Sequence, residues 1–155
     1  MEAGLSDCLE VFRGATRLAL RDGHLSNGEK RLLVKLAHAL RLEEDEPRLV
    51  YDSVVKNTGL SAGRELGGQD KMMVYEQVLE AVLIHTDRSE DELMLVAYLR
   101  RAFQISDAEH RAITRSLDRQ LEQIIHRNVL QDFRMRLDDT MEKIGGIFDR
   151  IGIQI

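Results

Sequence analysis

Leu18-Ala19-Leu20-Arg21-Asp22-Gly23-His24-Leu25-Ser26-Asn27-Gly28-Glu29, followed by Leu32, Leu33, Leu36, Ala39 and Leu40, decides how this chain folds. Phe12, Ala15, Thr16, Ala19 and Leu20 recur at i, i+3 and i+4, which marks one face of a helix. Asp22-Gly23 stops that helix, because glycine accepts the left-handed backbone of a helix end and aspartate favours turns. Ser26 and Glu29 then form a capping box. The serine covers an orphan amide of the next helix, and the glutamate reaches back to the cap. The leucines that follow supply that helix with its buried stripe.

The same device returns further along. Displacing the sequence by 63 positions sets 12–54 on 75–117 without a gap. Phe12 falls on Tyr75, Leu20 on Leu83, Ser26 on Ser89, Glu29 on Glu92, Leu36 on Leu99 and Leu42 on Ile105. Any two amphipathic helices share a spacing, but here the break and the restart also coincide. We therefore read two tandem pseudo-repeats, 12–54 and 75–117, in a single domain covering 1–155. A third capping box, Ser106 to Glu109, opens a further helix. At the corresponding place in the first unit, Glu46 keeps the distal glutamate, and Pro47 is tolerated in a first turn. Between the units, 57–68 holds Gly59, Gly63, Gly67 and Gly68, and reads as a mobile connection. In the extension 118–155, Leu121, Ile124, Leu130, Phe133, Leu137, Met141 and Ile144 predict one long amphipathic helix running on from Leu117. Gly145-Gly146 is expected to break or bend it.

Composition agrees with an all-α domain. The 155 residues are 43% hydrophobic and 32% charged, with one proline, no tryptophan and 5% aromatics, which speaks against a β-rich fold, disorder or a membrane span. No apolar run approaches the roughly 18 residues that cross a bilayer, and 1–7 lacks the pattern of a signal peptide. The net charge of -5 gives no footprint for nucleic acid. The lone Cys8 has no disulfide partner and reads as a packed thiol in a reduced, cytoplasmic protein.

The Asp-Gly, apolar residue, Ser and Glu signature after an apolar helix resembles the TerB-like superfamily, over about residues 10–117. That resemblance implies a bundle of some seven helices and a place among accessory components of tellurite-resistance and chemical-stress systems. In such domains, which also occur fused to co-chaperone and membrane-linked modules, it implies metal-ion binding or protein association without a shared reaction. The second unit departs from the signature, with His85, Thr86 and Arg88 in the aspartate, glycine and apolar columns, so any ligand site is asymmetric.

The candidate ligands for a divalent cation are Asp22, Glu29, His85 and Glu92, with Asp87 and Asp91 as secondary candidates. An EF-hand is excluded, because Leu18 and Leu20 stand where its first and third ligands would be acidic. Turn and cap chemistry accounts for the same residues without a metal. The acidic run Glu43-Glu44-Asp45-Glu46 reads as a solvated helix start, with recruitment of a basic partner as the alternative. His110 and His126 are expected at the surface. No phosphate loop, dinucleotide fingerprint or nucleophile elbow is present, and we read the chain as a non-enzyme. Ile147, Phe148, Ile151 and Ile153 make an apolar end that folds onto the domain or forms a partner-binding or homodimer seam. A membrane-surface role for it is weakened by the sparse cationic face. Three functions follow as expectations: a regulatory or scaffolding protein acting through protein contacts, a divalent-cation-binding stress protein, and a membrane-peripheral adaptor.

Overall fold

The computed structural model describes residues 5–85 and 88–151, with the backbone alone for His85, Asp149 and Ile151. Among the described residues the chain is all-α. Its helices are α1 (Cys8–Ala19), α2 (Asn27–Ala39), α3 (Glu46–Lys56), α4 (Gly68–His85), α5 (Glu90–Ala102), α6 (Asp107–Leu121) and α7 (Arg127–Ile151). None is long and apolar enough to cross a membrane.

The helix starts are those the sequence chemistry dictates. Ser26, Ser89 and Ser106 each accept the backbone N–H three residues on, and Glu29, Glu92 and Glu109 each reach back to the cap. The ends of α2 and α5 also match. Arg41 and Gln104 take left-handed backbone (φ 57° and 52°), and the next amides, Leu42 and Ile105, donate to the carbonyls of Ala37 and Arg100 at 3.0 Å. These closures satisfy carbonyls that a helix end leaves orphaned.

Helix α5 is the axis of the bundle and packs against α1, α2, α4 and α7. Contact on so many sides explains why every residue from Glu92 to Arg100 is buried. Tyr75, Tyr98, Leu99, Leu137 and Ile144 are among the side chains closed off from water. Burying a large apolar side chain contributes roughly 1.5–3 kcal/mol, so this one continuous core dominates stability.

Two expectations need correction. The stretch after Leu117 is not one helix: α6 stops at Leu121 and α7 starts at Arg127. The amides of Ile124 and Ile125 both turn back to the Leu121 carbonyl, and His126 Nδ1 accepts the Asn128 N–H at 3.2 Å. Ile124, which seemed to carry the stripe across, is 71% exposed. Gly145-Gly146 does not interrupt α7, because Ile144 and Phe148 on either side are anchored in the core. Tertiary packing outweighs the helix propensity of glycine there. Within the glycine-bearing connection 57–68, residues 63–66 are hydrogen-bonded to the body of the domain. The amides of Cys8 and Leu66 donate to the carbonyls of Arg64 and Ser6, Gly63 N–H donates to Asp7 Oδ2 at 2.7 Å, and the Arg64 guanidinium reaches the Leu40 carbonyl.

Candidate functional site

The first turn of α2 and the first turn of α5 meet in space, and Arg21 joins them. Leaving the end of α1, its guanidinium donates Nη1 to the Leu18 carbonyl (2.8 Å) and Nη2 to Asp91 Oδ1 (2.5 Å). The same Nη1 stands 3.6 Å from Glu29 Oε2. Gly28 lies against the other turn so closely that a Cβ there would be 2.7 Å from Glu92 Cδ. Both capping glutamates are therefore enclosed, Glu29 at 1% and Glu92 at 2% exposure. In each, Oε1 accepts from its cap backbone, and in each Oε2 is buried with no hydrogen-bond partner. Burial pushes the Glu29 carboxyl above its ordinary range, and Asp91 adds to the push. The Ser26 hydrogen bonds and Arg21 act the other way.

This junction brings together Glu29, Glu92 and Asp91 from the candidate ligand set. Asp22 is exposed and turns its carboxylate to the His24 amide at 3.4 Å. The His85 side chain and Asp87 lie outside the described residues. Among those described, no three His, Cys, Asp or Glu side chains are grouped to hold a metal. Chemically, the junction is two enclosed carboxylates and one arginine. It couples α2 with α5 through Arg21.

Two features lie beyond what the sequence indicated. His110 is buried (7% exposed), a correction to its expected surface position. Its Nδ1 is 3.1 Å from the Tyr75 hydroxyl, on the wall of a polar cleft of about 600 Å³ that Arg100, Asp107, Arg111, Arg134 and Asp138 also line. Burial and then Arg100 hold the imidazole down at about 4, so it is neutral near pH 7. Arg100 pairs with Asp107 and Arg134 with Asp118.

The second feature is an apolar groove of about 720 Å³ where α2 faces the first turn of α3. Phe12, Leu33 and Ala37 form its buried floor, and Leu25, Leu42 and Pro47 also line it. Val34, 58% exposed, stands on its lip. The available signal in the sequence was an apolar residue lying off the buried stripe of α2. At the C-terminal end, Phe148 is enclosed in the core (2% exposed), edge-on to Tyr98 with ring centroids 5.6 Å apart. Ile147 is half-buried, the Ile151 side chain is not described, and Ile153 lies outside the described residues.

Comparison of the chain with protein-family models, curated proteins and solved structures gives no match.

Proposed function

We propose that this chain is a non-catalytic regulatory or scaffolding module of the TerB-like kind, acting through protein contacts in a cytoplasmic stress-response system. The carrying observation is the groove over Phe12, Leu33 and Ala37, a concave apolar surface open to solvent. Duplication of one helical unit belongs to the same proposal. It is supported by the matched capping boxes at Ser26/Glu29 and Ser89/Glu92 and by the matched left-handed closures at Arg41 and Gln104.

Cys8 is buried, so a Val34→Cys variant offers one accessible thiol for a photo-crosslinker. In cells that make the protein, the reading expects a discrete protein adduct from position 34. None is expected from Met135→Cys, a comparably exposed position on α7. Absence of an adduct at position 34, or the same adducts from both positions, overturns it.

A second reading, a divalent-cation-binding stress protein, is favoured by the two enclosed Oε2 atoms of Glu29 and Glu92, which accept no hydrogen bond, Arg21 standing 3.6 Å from the first. It would use Glu29 and Glu92 together with Asp22 and His85. A ligand that binds the native state raises stability in proportion to the logarithm of its concentration over Kd. Melting in millimolar Ca²⁺, Mg²⁺, Mn²⁺ or Zn²⁺ therefore separates the readings. A rise that Glu92→Gln abolishes establishes the cation, and an unchanged Tm with all four removes it.

A further inference from the structure

We infer that the groove between α2 and α3 receives an amphipathic helical segment of a partner protein that carries lysine or arginine beside its apolar face. This rests on the protein-contact reading and specifies the chemistry of the partner. The floor and walls, Phe12, Leu25, Leu33, Ala37, Leu42 and Pro47, offer apolar surface, so the anchors entering the groove are aliphatic or aromatic. The volume of about 720 Å³ lies within the roughly 300–1,000 Å³ typical of ligand-binding clefts.

The rim decides the partner's charge. Glu43 and Glu44 line the groove at the α2–α3 turn, and Asp45 and Glu46 continue the run into the first turn of α3. Among the described residues, the ion pairs of this protein involve none of these four carboxylates. Glu46 Oε1 accepts the Glu43 N–H at 2.6 Å, which fixes the turn. The acidic end is thus held in place and lacks a cation of its own. A Lys or Arg flanking the apolar face of the incoming helix would provide one, and would set its direction and register. Lys30, in the first turn of α2, also lines the groove and disfavours a uniformly basic ligand.

The test measures fluorescence anisotropy with two labelled peptides of about 16 residues. They share one leucine pattern at i, i+3, i+4 and i+7, with lysines flanking it in one and glutamates in the other. The lysine peptide should bind with saturation and weaken as salt rises, and the glutamate peptide should bind at least tenfold more weakly. Val34→Asp should weaken the lysine peptide at least tenfold, while Met135→Asp leaves it unchanged. Both positions are exposed, and a thermal melt checks that both variants fold. Glu43→Lys with Glu44→Lys should invert the preference.

Equal binding of the two peptides, no binding of either, or binding indifferent to Val34→Asp overturns the inference. So does a dimer in sedimentation that Val34→Asp dissociates while neither peptide binds, because the groove then belongs to a second copy. A crosslink from position 34 without a lysine preference leaves the protein-contact reading standing and removes the basic partner. Loss of both removes both.

Discussion

The hydroxyl of Tyr98 in α5 fills the space that any side chain at Gly14 in α1 would need. A Cβ at Gly14 would stand 2.0 Å from that oxygen and 2.7 Å from Cζ. The hydroxyl donates to the Val11 carbonyl at 2.9 Å in a buried setting, and this bond fixes how closely the two helices approach. Overpacking of this kind costs about 1–3 kcal/mol and loss of a buried hydrogen bond about 1 kcal/mol. Gly14→Ala should therefore destabilise strongly, and Tyr98→Phe moderately. The double variant should fall short of the sum, because removing the oxygen relieves the shortest contact even though the ring carbon Cζ stays close. Urea denaturation of the four proteins measures this. Strict additivity would show that the close approach carries no energy.

The junction of the two turns makes an opposite demand, since its buried carboxylate is a cost when ionised. Burial raises Glu29 above its ordinary value of 4.5, so the native state holds the proton more tightly than the unfolded chain. Stability tied to this proton is complete below the unfolded value and is lost as pH rises through the folded one. Glu29→Gln keeps an oxygen for the Ser26 N–H and carries no charge. It should match or exceed the natural protein at pH 7, and the difference should fade towards pH 4. Glu29→Ala leaves the Ser26 N–H without its acceptor and should lose about 1 kcal/mol at both pH values. Chemical denaturation at the two pH values reads all three. A Gln variant much weaker than the natural protein at pH 7 would mean that the pairing with Arg21 outweighs burial.

His110 titrates in the other sense. Its folded value of about 4 lies below the ordinary 6.5, so the unfolded chain takes up the proton first as pH falls. The contribution is complete above pH 6.5, declines as pH falls towards 4, and does not change below that. The full effect is at most about 3 kcal/mol at 1.36 kcal/mol per unit. His110→Gln keeps a hydrogen-bonding group facing the Tyr75 hydroxyl but does not titrate. Its urea midpoint should fall less between pH 7 and pH 4.5 than that of the natural protein. Parallel declines would place the acid sensitivity in other groups.

What the sequence made legible was local. Ser26 with Glu29, and Ser89 with Glu92, announce helix starts because a capping box is completed within four residues. Nothing local announces that both glutamates are enclosed. Their burial comes from the packing of one turn on the other through Gly28 and Arg21, and acids are exposed by default. The same limit hid the α6–α7 turn, where exposed Ile124 continues an apolar rhythm that the backbone abandons. It also hid the groove, which exists only where α2, α3 and Phe12 of α1 come together. His110 looked like a surface residue because its partner, Tyr75, is 35 positions away.

The end of α7 yields the last prediction, because its glycines and its phenylalanine act in opposite directions. Phe148 packs on Tyr98, and the Arg101 guanidinium lies 5.6 Å from its ring centroid. Phe148→Ala therefore removes a core aromatic and should cost about 3–5 kcal/mol. Deletion of 146–155 takes the same ring away and should lower stability by a similar amount. A tail that served only as an anchor for a partner would leave the melting temperature unchanged in both variants. Gly146, by contrast, has nothing within 4 Å of where its Cβ would stand, on an exposed face of an intact helix. Gly146→Ala should raise stability by up to about 1 kcal/mol through helix propensity alone. Thermal melts of the three variants decide the matter. A Gly146→Ala protein less stable than the natural chain would show that α7 bends at this glycine in solution.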